Sequence, residues 1–262
     1  MKKIIAILLA LTLILSFAGC AGTNDTTTTA GTTEGTTAGT TAGDEVEVMT
    51  YAEYIAAELE SAVVVEAYVQ AVESWYDGAC HIYALCEDGG YYIYSYACTE
   101  EEAAKLVPGT KIRVSGYKIE WSGEVEISEA TIEILDGQAP EFAADDVTEL
   151  VGTDALAERM NDLVAFKGMT VAASKDANGN EAPFLYKWDG SGKQGDDLYF
   201  NVSIGETVYT FTVNVYMIGT GVDSDVYKAV EALKVGDVID IEGFLYWYNA
   251  PQTHVTAVTA AE

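Results

Sequence analysis

The chain has 262 residues and 49 % of them are hydrophobic, enough for one large or two small cores. Lys and Arg number 13 against 42 Asp and Glu, giving a formal net charge of −29. A polyanion of that density repels phosphate backbones and anionic headgroups, so charge alone argues against nucleic acid as a partner.

Met1-Lys2-Lys3 is a basic start, and Ile4–Phe17 is an apolar run of signal-peptide length, short for a membrane span. Small residues follow, then Cys20. Ser16-Phe17-Ala18-Gly19-Cys20 resembles the lipobox of bacterial lipoproteins, with Phe17 where that family usually carries Leu. The resemblance implies a signal peptide over residues 1–20 and a lipidated Cys20 at the mature terminus. It also implies a bacterial cell membrane location, lipid-anchored on the extracytoplasmic side, with the membrane touched through lipid alone. Removal of Lys2 and Lys3 leaves 11 − 42 = −31. Residues 21–49 are expected to be a disordered tether, since Ala21–Gly43 is mostly Thr, Gly and Ala with scattered acids and no aromatic or branched aliphatic residue.

Thr50-x-x-Glu53 has capping-box form and opens a helix with Tyr54, Ile55 and Leu59 at helical spacing. Val63–Val72 reads as a strand, and Cys80–Cys86 and Tyr91–Cys98 as a hairpin around Asp88-Gly89-Gly90. Thr99-x-x-Glu102 caps a short helix. Pro108-Gly109 ends it and starts a fourth strand, and Val125–Leu135 is a fifth. After a linker, Gly137–Asp146, the pattern restarts. Thr153 precedes a helix placing Leu156, Met160 and Leu163 on one face, and Val164–Ala173 is a strand. Ser174–Asp197 is a polar excursion, followed by strands at Leu198–Ser203 and Val208–Met217. A helix then runs from Asp223 or Ser224 to Leu233, and a closing hairpin spans Val238–Tyr248 and His254–Thr259.

Leu106–Trp121 and Leu233–Tyr248 repeat one unit at a constant offset: Gly109 matches Gly236, and Gly116 matches Gly243. Three strands, a helix and two strands, twice over, is the element order of the OB-fold. The chain thereby resembles bacterial surface lipoproteins with two tandem OB-fold-like domains, a family of unknown function. The implied fold is mainly β: two tandem Greek-key β-barrels, each with a leading helix and a helix between strands 3 and 4. The domains are placed at 50–137 and 148–262. A single β-sandwich of all ten strands is the competing architecture.

No catalytic residue is expected, and the chain reads as a non-enzyme. His81 and His254 lie in strands without a neighbouring nucleophile motif, and 42 carboxylates single out no pair for hydrolysis. No cofactor or metal is expected either. Asp176–Glu181 is part of a calcium-loop pattern with Gly179 misplaced, so it reads as a polar turn. Cys80, Cys86 and Cys98 form at most one pair, and buried free thiols are expected.

The aromatics carry the functional signal. Trp75 and Trp121 fall in the loops after strands 1 and 4 of the first repeat, and Trp188 and Trp247 in the same loops of the second. In OB barrels these loops and the face of strands 2 and 3 form the usual ligand groove. Tyr92, Tyr94 and Tyr96 alternate along strand 3, and Tyr76 neighbours Trp75. These eight side chains are the candidate ligand-binding set. With only Lys111, Arg113 and Lys118 clustered as bases, the expected ligand is a glycan or an envelope protein, with no nucleic acid. The expected function is a non-enzymatic lipid-anchored cell-surface binding protein. The alternatives are a structural adaptor of an envelope complex and a single-stranded nucleic-acid-binding OB protein.

Overall fold

The computed structural model describes residues 47–137 and 139–261. The expected signal peptide, Cys20 and nearly all of the expected tether lie outside the described residues. Five strands close the first barrel: β1 (Ala62–Val72), β2 (Ala79–Leu85), β3 (Gly90–Ala97), β4 (Lys111–Trp121) and β5 (Glu124–Leu135). Their order is β1-β2-β3-β5-β4, and β4 pairs back on β1. The second barrel repeats it with β6 (Leu163–Ala172), β7 (Leu198–Ile204), β8 (Thr207–Val213), β9 (Val238–Phe244) and β10 (His254–Ala260). Here the order is β7-β8-β10-β9-β6, closed by β6 on β7. In both, the third and fifth strands run parallel and the other pairs antiparallel. The chain is thus mainly β, with two tandem OB-fold-like barrels.

The strands follow from period-2 patterning. Val63, Val65, Ala67 and Val69 point inward along β1 between half-exposed neighbours. The duplicated glycines recur in geometry. Gly109 and Gly236 adopt φ of 92° and 93°, open to glycine at no steric cost. Each donates its N–H to the first strand of its barrel, at Val69 O (2.8 Å) and Val171 O (2.9 Å). Gly116 and Gly243 sit where the fourth strand bulges against the fifth. A Cβ there would meet a backbone oxygen, Ser128 O at 2.6 Å or that of His254 closer still.

Both capping boxes form. Thr50 caps α1 (Tyr51–Ala56) and Thr99 caps α2 (Glu100–Ala103). Ser224 caps α3 (Asp225–Glu231). The segment leading the second barrel differs from the first. It consists of two 3₁₀ turns, Thr148–Leu150 and Asp154–Arg159, and Leu163 already belongs to β6. Thr153 spends its hydroxyl on Leu150 O (2.8 Å) instead of capping the following turn.

The barrels have separate cores, one around Val65, Ile82, Ile93 and Ile112, the other around Phe166, Phe200, Phe211 and Ile241. A third cluster joins them: Ala71, Tyr83 and Tyr92 from the first barrel against Met217 and Phe244 from the second. Backbone bonds stitch the same seam, from Ser74 N to Tyr216 O (2.6 Å), Ile218 N to Val72 O (2.8 Å) and Asn249 N to Ser122 O (2.6 Å). Both barrels fall within one compact unit, Glu45–Glu262. No helix among the described residues is long and apolar enough to cross a membrane.

Candidate functional site

β7 and β8 are fully paired along their length, so their side chains alternate strictly between core and outer face. Leu198, Phe200 and Val202 go inward, and Tyr199 and Asn201 go outward. Opposite them, Thr210 and Thr212 share the outer face. Trp188 rises beside this face from the polar excursion, and Tyr246, Tyr248 and Gln252 from the β9–β10 turn. Trp121, at the tip of β4, reaches across from the first barrel. Together they bound an open cleft of about 640 Å³, within the ~300–1,000 Å³ usual for ligand sites.

Three rings stand in solvent at its rim: Trp188 is 68 % exposed, Trp121 52 %, and Tyr248 45 %. Trp121 and Tyr248 lie 5.3 Å apart at a tilt of 38°, an adaptable pair. Deeper in, Tyr246 stacks on His254 at 4.4 Å. Tyr83, buried in the seam, bonds His254 Nδ1 at 2.9 Å. A buried hydroxyl must place its own proton, so Nδ1 accepts and the ring proton sits on Nε2. Burial and nearby His81 push the His254 pKa down to about 3, so the ring is neutral.

The polar lining is sparse. Asp197 Oδ1 accepts from Val215 N (2.9 Å), and burial raises its pKa. Asn214 is anchored, donating to Glu73 Oε1 (2.8 Å) and accepting from Tyr216 N (2.9 Å). Thr212 Oγ1 is buried with no hydrogen-bond partner. Among the described residues, no Lys or Arg lines the cleft. Lys111 and Arg113 are instead paired with Glu66 at 2.7 and 2.8 Å. Lys118 is buried, its ammonium donating to the carbonyls of Tyr54, Ile55 and Ala57 at 2.8–3.0 Å.

The eight aromatics expected to bind ligand are dispersed. Trp121 and Trp188 line the cleft. Trp247 packs against the β4–β5 turn, where a Cβ on Gly123 would lie 2.7 Å from its ring. Trp75 and Tyr76 are at a separate exposed loop, Trp75 Nε1 donating to Cys98 O (2.8 Å). Tyr92 faces Tyr246 of the second barrel and is only 4 % exposed. Tyr94 is exposed beside His81. Tyr96 does not share their face. A bulge with Ser95 at φ 50° shifts the register, so Tyr96 pairs with Cys80 and packs on the core. The residues sequence reading passed over are Tyr199, Thr212, Tyr246, Tyr248 and His254. Their signal was the outward half of the alternation in β7 and β8 and the Tyr246-x-Tyr248 pair.

Asp176–Glu181 is a polar turn closing a two-residue ladder, Asp176 Oδ1 accepting from Asn178 N and Asn180 N at 2.8 Å each. Among the described residues, no group of three or more His, Cys, Asp or Glu could hold a metal ion.

No family model matches the chain, and no curated protein does. Solved structures resemble it in fold. A murine DNA-binding protein bound with double-stranded DNA is 11 % identical at a TM-score of 0.33, covering 72 % of this chain and 92 % of its own. The p204 HINb domain is 11 % identical at 0.33, covering 78 % and 99 %. A replication protein A heterotrimer bound to single-stranded DNA is 9 % identical at 0.28, covering 78 % and 49 %. At such identities the likeness speaks to the fold alone. One expectation does not stand: net charge argues for a glycan or envelope-protein ligand and against nucleic acid, whereas solved structures of similar fold are described with DNA bound. The glycan-or-protein cell-surface reading is not retained. Its physical fault was to apply a whole-chain charge to a cleft whose own lining is nearly uncharged.

Proposed function

We propose that this protein is a non-enzymatic OB-type binder that takes unpaired bases of single-stranded nucleic acid into the aromatic cleft of its second barrel. The carrying observation is the open β7–β8 face rimmed by the exposed rings of Trp188, Trp121 and Tyr248. Base–aromatic stacking contributes ~1–3 kcal/mol per base and tolerates any sequence. The polar groups beneath, Asp197, Gln252 and Thr212, are of the kind that meet base edges.

Charge then fixes an unusual signature. With no Lys or Arg among the described residues of the cleft and a net charge of −29, attraction comes from stacking and the phosphates are repelled. Ordinary single-strand binders lose affinity steeply as salt rises, because phosphate contacts release counterions. Here added salt screens repulsion, so affinity holds or rises between low and physiological ionic strength. Fluorescence anisotropy of a labelled oligonucleotide against the full chain, across a salt series, tests this. Trp188→Ala and Tyr248→Ala should each weaken binding by ~1–3 kcal/mol. Absence of saturable binding at every salt concentration defeats the proposal, as does equal competition by duplex of the same sequence.

Location is a separate proposal that rests on the Ser16–Cys20 motif. Membrane fractionation of wild type against Cys20→Ser tests it, and an unchanged distribution would sink it.

A further inference from the structure

Cys80 and Cys98 face each other across the open end of the β2–β3 hairpin, their sulfurs 3.8 Å apart. Cys80 is buried in β2, and Cys98, one residue past β3, is half-buried. They are diagonal neighbours, since Cys80 pairs with Tyr96. The ladder ends at Ala79–Ala97, and beyond it Cys98 is tied by a single backbone bond, its N–H to Gly78 O (2.9 Å). Cys86 lies at the far end of the same hairpin. Its sulfur is engaged with Gly89 O (3.4 Å) and the Tyr91 hydroxyl (3.8 Å).

We propose that Cys80 and Cys98 are an oxidisable pair that closes to an intramolecular disulfide by exchange with a low-molecular-weight disulfide, pinning the Trp75 loop to the end of β3. The loop is coupled to the pair directly, because Trp75 Nε1 donates to Cys98 O (2.8 Å). Cys98 is the entry thiol, being the accessible one. Its thiolate attacks one sulfur of the reagent, a Cys98–S bond forms, the reagent's S–S bond breaks and one thiol leaves. Cys80 then loses its proton, attacks Cys98 Sγ and expels the second thiol. Two protein thiols are oxidised by two electrons, and one disulfide is reduced to two thiols. Burial raises both thiols, and with the neighbouring Cys98 it pushes Cys80 up to about 12, so Cys80 is the poorer first attacker. Held beside the mixed disulfide, it needs no encounter with a second molecule. The pair is independent of the cleft.

The test treats the full chain with oxidised glutathione, alkylates the remaining thiols and maps the peptides by mass. The expected result is a Cys80–Cys98 link without glutathione, with Cys86 alkylated. Cys80→Ser should hold glutathione stably on Cys98, because the resolving sulfur is gone. Amide exchange over residues 74–78 should slow several-fold on oxidation of wild type. Wild type that keeps glutathione on Cys98, or leaves Cys80 and Cys98 alkylated while the same reagent oxidises them after unfolding, overturns the proposal.

Discussion

In the first barrel the outer face of β2 and β3 carries His81, Tyr83, Tyr92 and Tyr94; in the second the same face of β7 and β8 carries Tyr199, Asn201, Thr210 and Thr212. The first face is covered over its Tyr83–Tyr92 half, Tyr83 stacking on Phe244 at 4.5 Å and Tyr92 meeting Tyr246 at 5.5 Å, while Tyr94 stays exposed. The second is left open as the cleft. One barrel plan therefore yields two fates, decided by what its outward positions carry. A tyrosine-rich face removes much apolar area from water when another barrel covers it. A face of threonine and asparagine gains little from burial and stays available. Duplication of a fold does not duplicate its site.

Truncating one outward tyrosine on each face should break the symmetry most strongly. Tyr83→Ala should destabilise the protein by ~3–5 kcal/mol, as for a large buried aromatic. It also leaves His254 Nδ1 without its partner. Tyr199→Ala, on the open face, should cost about 1 kcal/mol or less. Urea unfolding of both variants decides it, and equal losses would show that the first face is not the structural one.

The covered side also concentrates carboxyls. Glu124 and Glu126 are buried in β5, and Glu73 bonds Asn214 across the seam. Burial raises the pKa of Glu124 to about 8 and those of Glu73 and Glu126 to about 7. Glu124 Oε2 accepts from Trp247 N (2.7 Å). Its Oε1, like the Oδ1 of neighbouring Asn161, is buried without a partner. The folded values exceed the unfolded ones, so this stability is complete below about pH 4.5 and lost as pH rises through 7 to 8. Unfolding free energy should fall by several kcal/mol from pH 5 to pH 8. Glu124→Gln, the uncharged isostere, should flatten that slope and be the more stable form at pH 8. A wild-type curve flat or rising over this range would refute the account.

The strands, both capping boxes and the paired glycines were legible because they depend on local spacing. Period-2 burial in β1 needs no knowledge of the rest of the chain, and Gly116 and Gly243 announce a close approach wherever they stand. What covers an outer face is not local. Tyr83 and Tyr199 read alike in sequence, since a strand shows the same alternation under solvent or under another barrel. The Ser95 bulge was invisible for a related reason: one residue in a left-handed conformation reversed the parity that had placed Tyr96 beside Tyr92 and Tyr94. Net charge is a whole-chain quantity and carries no information about the local lining, where Asp197 is the single carboxylate among aromatic and neutral polar side chains.

The segments that lead the two barrels give the smallest and cleanest contrast. Thr50 Oγ1 accepts from Glu53 N (3.3 Å) while Glu53 Oε2 accepts from Thr50 N (2.8 Å), so two terminal N–H groups of α1 are satisfied reciprocally. At its other end, α1 delivers three carbonyls to the Lys118 ammonium, which locks the helix onto β4. Loss of the cap in Thr50→Ala should cost about 1 kcal/mol. Thr153 holds the equivalent sequence position but caps nothing, so Thr153→Ala should stay within about 0.5 kcal/mol of wild type. Paired denaturation curves resolve a difference of that size. If Thr153→Ala matched Thr50→Ala, the 3₁₀ segment would be held by its threonine after all, and the leading elements would be equivalent where the structure makes them differ.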